Sequence, residues 1–172
     1  MSETFITIIA IMSAVVLMFA VPFIATANQN EKITQSAIQT ILDNFTNTVA
    51  REGKISKSTY NDLIEELHAT GNTYDVSLEV QLIDDNPGAK GDNKDVIGEN
   101  IYYSEYTSTI VEKLNEGDYL LHQGDYVIAN VKNTNVTTMT AIKNFFYGLV
   151  GKETIALDAS STILISKTGY TK

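Results

Sequence analysis

FITIIAIMSAVVLMFAVPFIATA, residues 5–27, is apolar almost throughout, and no charged side chain occurs between Thr4 and Asn30. As an α-helix the stretch would extend roughly 34 Å, at about 1.5 Å per residue, enough to cross a hydrocarbon core of about 30 Å. A helix that is apolar on every side needs lipid or protein all around it. The stretch therefore reads as a membrane-inserting anchor, with Pro22 inside it as a point where the helix should kink or loosen, because its ring removes an N–H and clashes with the preceding turn. A secretory signal peptide is the alternative, and Ala25-Thr26-Ala27 has the small-residue form of a cleavage site. Against it, the apolar run exceeds the roughly 7–15 residues of a signal core, and Met1-Ser2-Glu3 contains no Lys or Arg.

Working outward, the apolar run passes into an amphipathic one without a linker. Ile33, Ala37, Ile38, Ile41, Leu42, Phe45 and Val49 fall at helical spacing and predict one buried face. Gln35, Gln39, Asp43, Asn47 and Arg51 are then expected on the opposite side, and Gly53 stands where a glycine C-cap belongs. The chain divides in this reading into an apolar helix at 1–30, its amphipathic continuation at 31–54 and a globular head at 55–172.

Composition narrows the classes. The chain has 172 residues, so about 120 remain beyond the helix, enough for one domain with a core. A net charge of −9 and a pI near 4.6 argue against nucleic acid as a partner, since that binding rests on neutralising phosphates with Lys and Arg. The absence of cysteine removes disulfides, thiolate metal sites and thiol catalysis. The charge flanking the span is a weak guide to orientation: no Lys or Arg precedes it, and Lys32 follows beside Glu31.

Within the head, Ile55–Ala69 is expected to be a helix capped by Ser56 or Ser58 and stopped by Gly71. Tyr74–Ile83 alternates apolar and polar residues and reads as a half-buried strand. Residues 84–100 form an acidic loop. Asp84, Asp85, Asp92 and Asp95 could ligate a hard cation, but their spacing does not match a calcium loop, so a solvated surface loop is the expectation. Tyr102–Asn115 reads as a helix ending at Gly117, with Tyr102, Tyr103 and Tyr106 either at the rim of the core or in a recognition patch. Tyr119–Val131 is strand-rich, with a bend at Gln123-Gly124-Asp125 and an alternating set at Tyr126, Ile128 and Val131. Val136–Leu149 should be a short amphipathic helix containing Met139, Ile142, Phe145, Phe146 and Leu149, and Thr154–Ser166 a final strand. The fold class expected is α+β: a long N-terminal helix, transmembrane then amphipathic, packed against a small antiparallel sheet with short helices.

No catalytic set, cofactor motif or metal site is legible. His68 and His122 are not in a metal-spaced pair, and no serine sits in a nucleophile elbow. Gly151-Lys152 fails as a phosphate loop, because Phe146 holds the first glycine position and Glu153 follows the lysine. Asn44-Phe45-Thr46 and Asn135-Val136-Thr137 fit the glycosylation pattern, which is too short to carry weight. An enzyme is not expected.

The arrangement of an apolar-then-amphipathic helix with a compact α+β head resembles the pilins of the type IV filament superfamily. Glu3 just before the apolar run, Pro22 within it and the passage into Ile33–Val49 sharpen the likeness. The C-terminal half is similar to the TadE-like pseudopilins of tight-adherence pili: Gly124-Asp125-Tyr126-Val127, then Asn133-Thr134-Asn135, then Asn144-Phe145-Phe146-Tyr147-Gly148, then Ile155-Ala156-Leu157-Asp158-Ala159. Members of that family carry a basic leader removed by a prepilin peptidase and an acid at the fifth mature position. Here the acid is third from Met1, which bears on maturation: either the subunit is made without processing or the acid's role is filled differently.

The resemblance implies a single-pass membrane protein with an extracytoplasmic head, assembled into a surface filament with copies of itself or other pilins by the pilus assembly machinery. Glu3 would then meet a neighbouring N-terminus, since a carboxylate alone in an apolar filament core costs several kcal/mol; the alternative is an acid at headgroup level on the cytoplasmic face. Ala10, Ser13, Ala14 and Ala20 are small enough for helices to approach closely, or are ordinary lipid-facing residues. The assembly residues expected are Glu3, Ala10, Ala14, Pro22, Ile33, Ile41 and Phe45. The competing class is a monomeric, membrane-tethered binding or sensory module, which more often has a flexible polar joint after its anchor; a membrane-anchored enzyme is a third and weaker reading.

Overall fold

In the computed structural model the described residues are 2–84, 102–135, 138–149, 151 and 157–169. They contain four helices and six strands: α1 (Ser2–Glu52), β1 (Lys54–Ile55), α2 (Lys57–Ala69), β2 (Tyr74–Ile83), β3 (Tyr102–Tyr106), α3 (Thr107–Glu116), β4 (Tyr119–Leu120), β5 (Tyr126–Asn133), α4 (Thr138–Leu149) and β6 (Asp158–Leu164). The fold is α+β, with a long N-terminal helix packed against small antiparallel sheets. The chain forms two compact units. One comprises Met1–Thr34 and Val136–Ile155, the other Gln35–Asn135 and Ala156–Lys172, so α1 contributes to both.

The second unit holds the core. Its main sheet has the order β3-β2-β5-β6, every pair antiparallel, and β1 pairs with β4 in a separate ribbon. The alternation read in Tyr74–Ile83 is the observed strand β2, where Leu78, Val80 and Leu82 are buried. Register places Leu78 opposite Ala129 and Val80 opposite Val127, which in turn faces Ile163. This one face of the sheet joins Ile38, Leu42, Phe45, Val49 and Ala50 of α1, and Leu63, Leu67, Ile110 and Leu114 of α2 and α3, in a single core. Burying each large side chain contributes about 1.5–3 kcal/mol, which is what holds α1 to the sheet here.

Gly53 ends α1 because the turn requires it. Its φ is +70°, its N–H donates to Val49 O at 2.8 Å, and a Cβ there would lie 2.3 Å from the Lys167 carbonyl oxygen. No side chain fits in that space, and the left-handed backbone is one that glycine adopts without strain.

Several sequence expectations are corrected. Lys54–Ile55 is a strand, so α2 begins at Lys57, with Ser56 as its cap accepting from Thr59 N–H. Tyr102–Tyr106 is not helix but the edge strand β3, and only Thr107–Glu116 is helical. The buried set of β5 is Val127, Ala129 and Val131, while Tyr126 and Ile128 lie half-buried on the other face. Ile33 is 59% exposed and not part of the buried stripe, because it lies about 140° round the helix from Ile38. Pro22 lies inside α1, as read from the sequence. The acidic residues read at 85, 92 and 95, and the start of the final strand at 154–156, lie outside the described residues, as do the side chains of Met139 and Leu149.

Candidate functional site

In the first unit the apolar half of α1 is exposed along most of its length. Phe5, Ile6, Met18 and Phe19 are 65, 64, 74 and 68% exposed, and the other large side chains from Ile8 to Val21 are exposed too. The helix is long and apolar enough to cross a membrane. Glu3 sits in its first turn and is exposed, where a carboxylate complements the positive helix end. Ala10, Ala14 and Pro22 are exposed as well. Ala20 and Ala27 are buried, two helical turns apart and on the face that also carries Glu31.

On that face α1 meets α4. Lys143 is buried, and its ammonium bonds to both carboxylate oxygens of Glu31 and stands 5.6 Å from the centre of the Tyr147 ring. Asn28 donates to the Tyr147 hydroxyl at 2.9 Å and accepts from it at 3.1 Å. A buried ammonium without a carboxylate partner is costly, so this pair fixes how α4 docks. Sequence reasoning missed it, because Glu31 and Lys143 stand far apart in the chain and neither belongs to a motif.

In the second unit α1 does two jobs. Its apolar side fills the core, with Phe45 buried and Ile41 partly buried. Of the polar residues expected opposite its buried stripe, three turn to the outer edge of the sheet. Gln35 and Gln39 donate to the carbonyls of Asp158 and Ser160 at 2.6 and 3.2 Å, and Asp43 accepts from Ser161 Oγ at 2.8 Å. Leu157 O accepts from Asn133 N–H, on the β5 side, so the alternate carbonyls at 158 and 160 point outward. The glutamines thus cover part of an edge that would otherwise invite another strand.

The Gly124-Asp125 pair precedes β5 and makes the bend. Gly124 has φ +102°, and the buried Asp125 carboxylate accepts from Ile83 N–H at 3.0 Å and His122 N–H at 2.7 Å. At the opposite edge, a cleft of about 470 Å³ is lined by residues of β3, α3 and β4. Lys113 there reaches both oxygens of Glu105 at 2.8 and 2.6 Å, and Tyr119 donates to Glu105 Oε2 at 2.8 Å. Burial, then the hydrogen bond to Glu105, holds the Tyr119 phenol well above the usual tyrosine range, so it is a donor and not a base. The cluster ties an edge strand to a helix; it lacks a nucleophile activated by a base. Tyr103 and Tyr106 of the cluster read from sequence are exposed, while Tyr102 packs edge-on against Tyr126 at 5.5 Å. Among the described residues no three carboxylate or imidazole groups converge as a metal site requires.

Compared with known proteins, the chain matches no family model, no curated protein and no solved structure.

Proposed function

We propose that this chain is a structural subunit of an extracellular, type IV-like filament of the tight-adherence kind, anchored by α1 in the membrane before assembly and carrying its head outside the cytoplasm. The observation that supports this reading is that one uninterrupted helix, Ser2–Glu52, carries both an apolar segment its own chain leaves bare and a stripe buried in the head. A tethered sensor has no need of a helix that continues into its head, whereas a filament subunit packs the bare segment against neighbours. In a bilayer the hydrophobic effect does not draw helices together, so association rests on close packing and polar contacts. Ala10 and Ala14 would admit a neighbouring helix, and Glu3 would meet a neighbouring N-terminus. The role is structural, with other pilins and the assembly machinery as partners.

The test is substitution of the bare face. Ala10→Leu with Ala14→Leu keeps the segment apolar but separates helices, and Glu3→Ala removes the carboxylate. Both variants should reach the membrane at wild-type level and be poorly incorporated into surface filaments. Normal filaments from both would leave a monomeric tethered binding or sensory module as the better reading.

A further inference from the structure

α4 is built the wrong way round for a helix that faces water. Its sequence, TMTAIKNFFYGL, contains one charged residue, Lys143, and that ammonium is turned onto Glu31 of α1. The Tyr147 hydroxyl is likewise turned onto Asn28. What remains outward is Ala141, Ile142, Phe145 and Gly148, all exposed, with Phe145 65% exposed. At about 100° per residue Phe145 lies roughly opposite Lys143. An ordinary surface helix has the reverse pattern, with its charges in water and its apolar residues on the protein.

The place where α4 docks supplies the occupant. Its partners Asn28 and Glu31 follow directly on residues 5–27, and Glu31 is the first charged residue after Glu3. This is where a membrane-crossing helix leaves the hydrocarbon. We propose that α4 is a second membrane-contacting element, an interfacial helix whose Ile142 and Phe145 enter the bilayer at the headgroup boundary. Helices of this kind reach about 5–10 Å into that region, and aromatic residues such as those at 145–147 suit it. The Glu31–Lys143 pair then has a clear purpose: it neutralises the one charge α4 would otherwise carry into the interface. The inference rests on reading residues 5–27 as a membrane span.

The chain has no cysteine, so single cysteines can be introduced without background. A polarity-sensitive fluorophore is attached to the full chain at Phe145→Cys, at Met12→Cys in the span, or at Ser77→Cys on the head. Each protein is reconstituted at low protein-to-lipid ratio into phosphatidylcholine–phosphatidylglycerol vesicles containing nitroxide lipids with a shallow or a deep label. The expected result is a blue-shifted label at 145 quenched more by the shallow nitroxide, one at 12 quenched more by the deep nitroxide, and one at 77 quenched by neither. A label at 145 that reports water while that at 12 is quenched overturns the inference and leaves the span standing. A label at 145 that is blue-shifted but unquenched means that protein, a second copy of the chain, covers this face, and again overturns it. If the label at 12 is not quenched, the span reading fails and the inference falls with it.

Discussion

Phe19 and Phe45 belong to the same helix, and one is 68% exposed while the other is 4% exposed. The contrast extends to the regions around them. Between Ile38 and Ala50 the apolar residues occupy one side, and the chain supplies the sheet that covers it. Between Phe5 and Phe19 they occupy every side, and the large ones are 49 to 74% exposed. A folded domain satisfies an amphipathic stripe from within, but an all-round apolar helix must find lipid or other helices. The difference separates a stretch whose apolar side chains the fold buries from one whose apolar side chains stay exposed.

The strongest way to break that contrast is to place a charge on the covered side. Phe45→Asp buries an unpaired carboxylate in the core and should cost more than about 4 kcal/mol, enough to unfold the head, whereas Asn47→Asp on the exposed side should stay within about 0.5 kcal/mol. Urea unfolding of the full chain in detergent measures both. Similar midpoints for the two variants would mean that Phe45 is not part of a packed core.

A smaller effect is expected where the first unit is closed by its own polar contacts. Glu31→Ala leaves Lys143 buried without a carboxylate, and breaking such a pair costs about 3–5 kcal/mol, at the lower end here because Glu31 retains some exposure. The loss should be local. Amide hydrogen exchange should accelerate in α4 and remain unchanged in β2 and β5; protection retained in α4 would show that the pair does not hold it.

Much of this was legible in the sequence, and the failures share a cause. The period-2 pattern of Tyr74–Ile83 and the terminating glycines at 53, 71 and 117 are local signals, and the structure follows them. Tyr102–Tyr106 misled because Tyr103, Tyr106, Ile110 and Leu114 sit at helical spacing, although three tyrosines in five residues already favour a strand. What decides is the pairing of Tyr103 with Leu82, a contact between distant parts of the chain. The same holds for Gln35 and Gln39: a glutamine on the polar side of a helix looks solvent-facing until the position of β6 is known. The two residues that hold α4, Asn28 and Glu31, carry no motif at all.

The least perturbing test concerns the far edge of the sheet. Tyr119→Phe removes the hydroxyl that donates to Glu105 and should cost about 1 kcal/mol, since the site is partly open to solvent. Because the folded phenol holds its proton above the ordinary value of about 10, this contribution is fully present below pH 10 and is lost as the pH climbs towards the folded value. Stability of the wild type should therefore fall more steeply than that of Tyr119→Phe above pH 10. Parallel curves in that range would remove the tyrosine from the account.

The central claim is that the bare half of α1 is covered by its counterparts in other subunits. Filaments sheared from cells that produce the chain, purified and reconstructed by electron cryomicroscopy, test it directly. The account predicts that residues 5–27 of many copies form the filament interior, with the heads of residues 55–172 outside. Cells that produce the chain and keep it solely as a membrane-bound monomer, with no filament containing it, would contradict the claim.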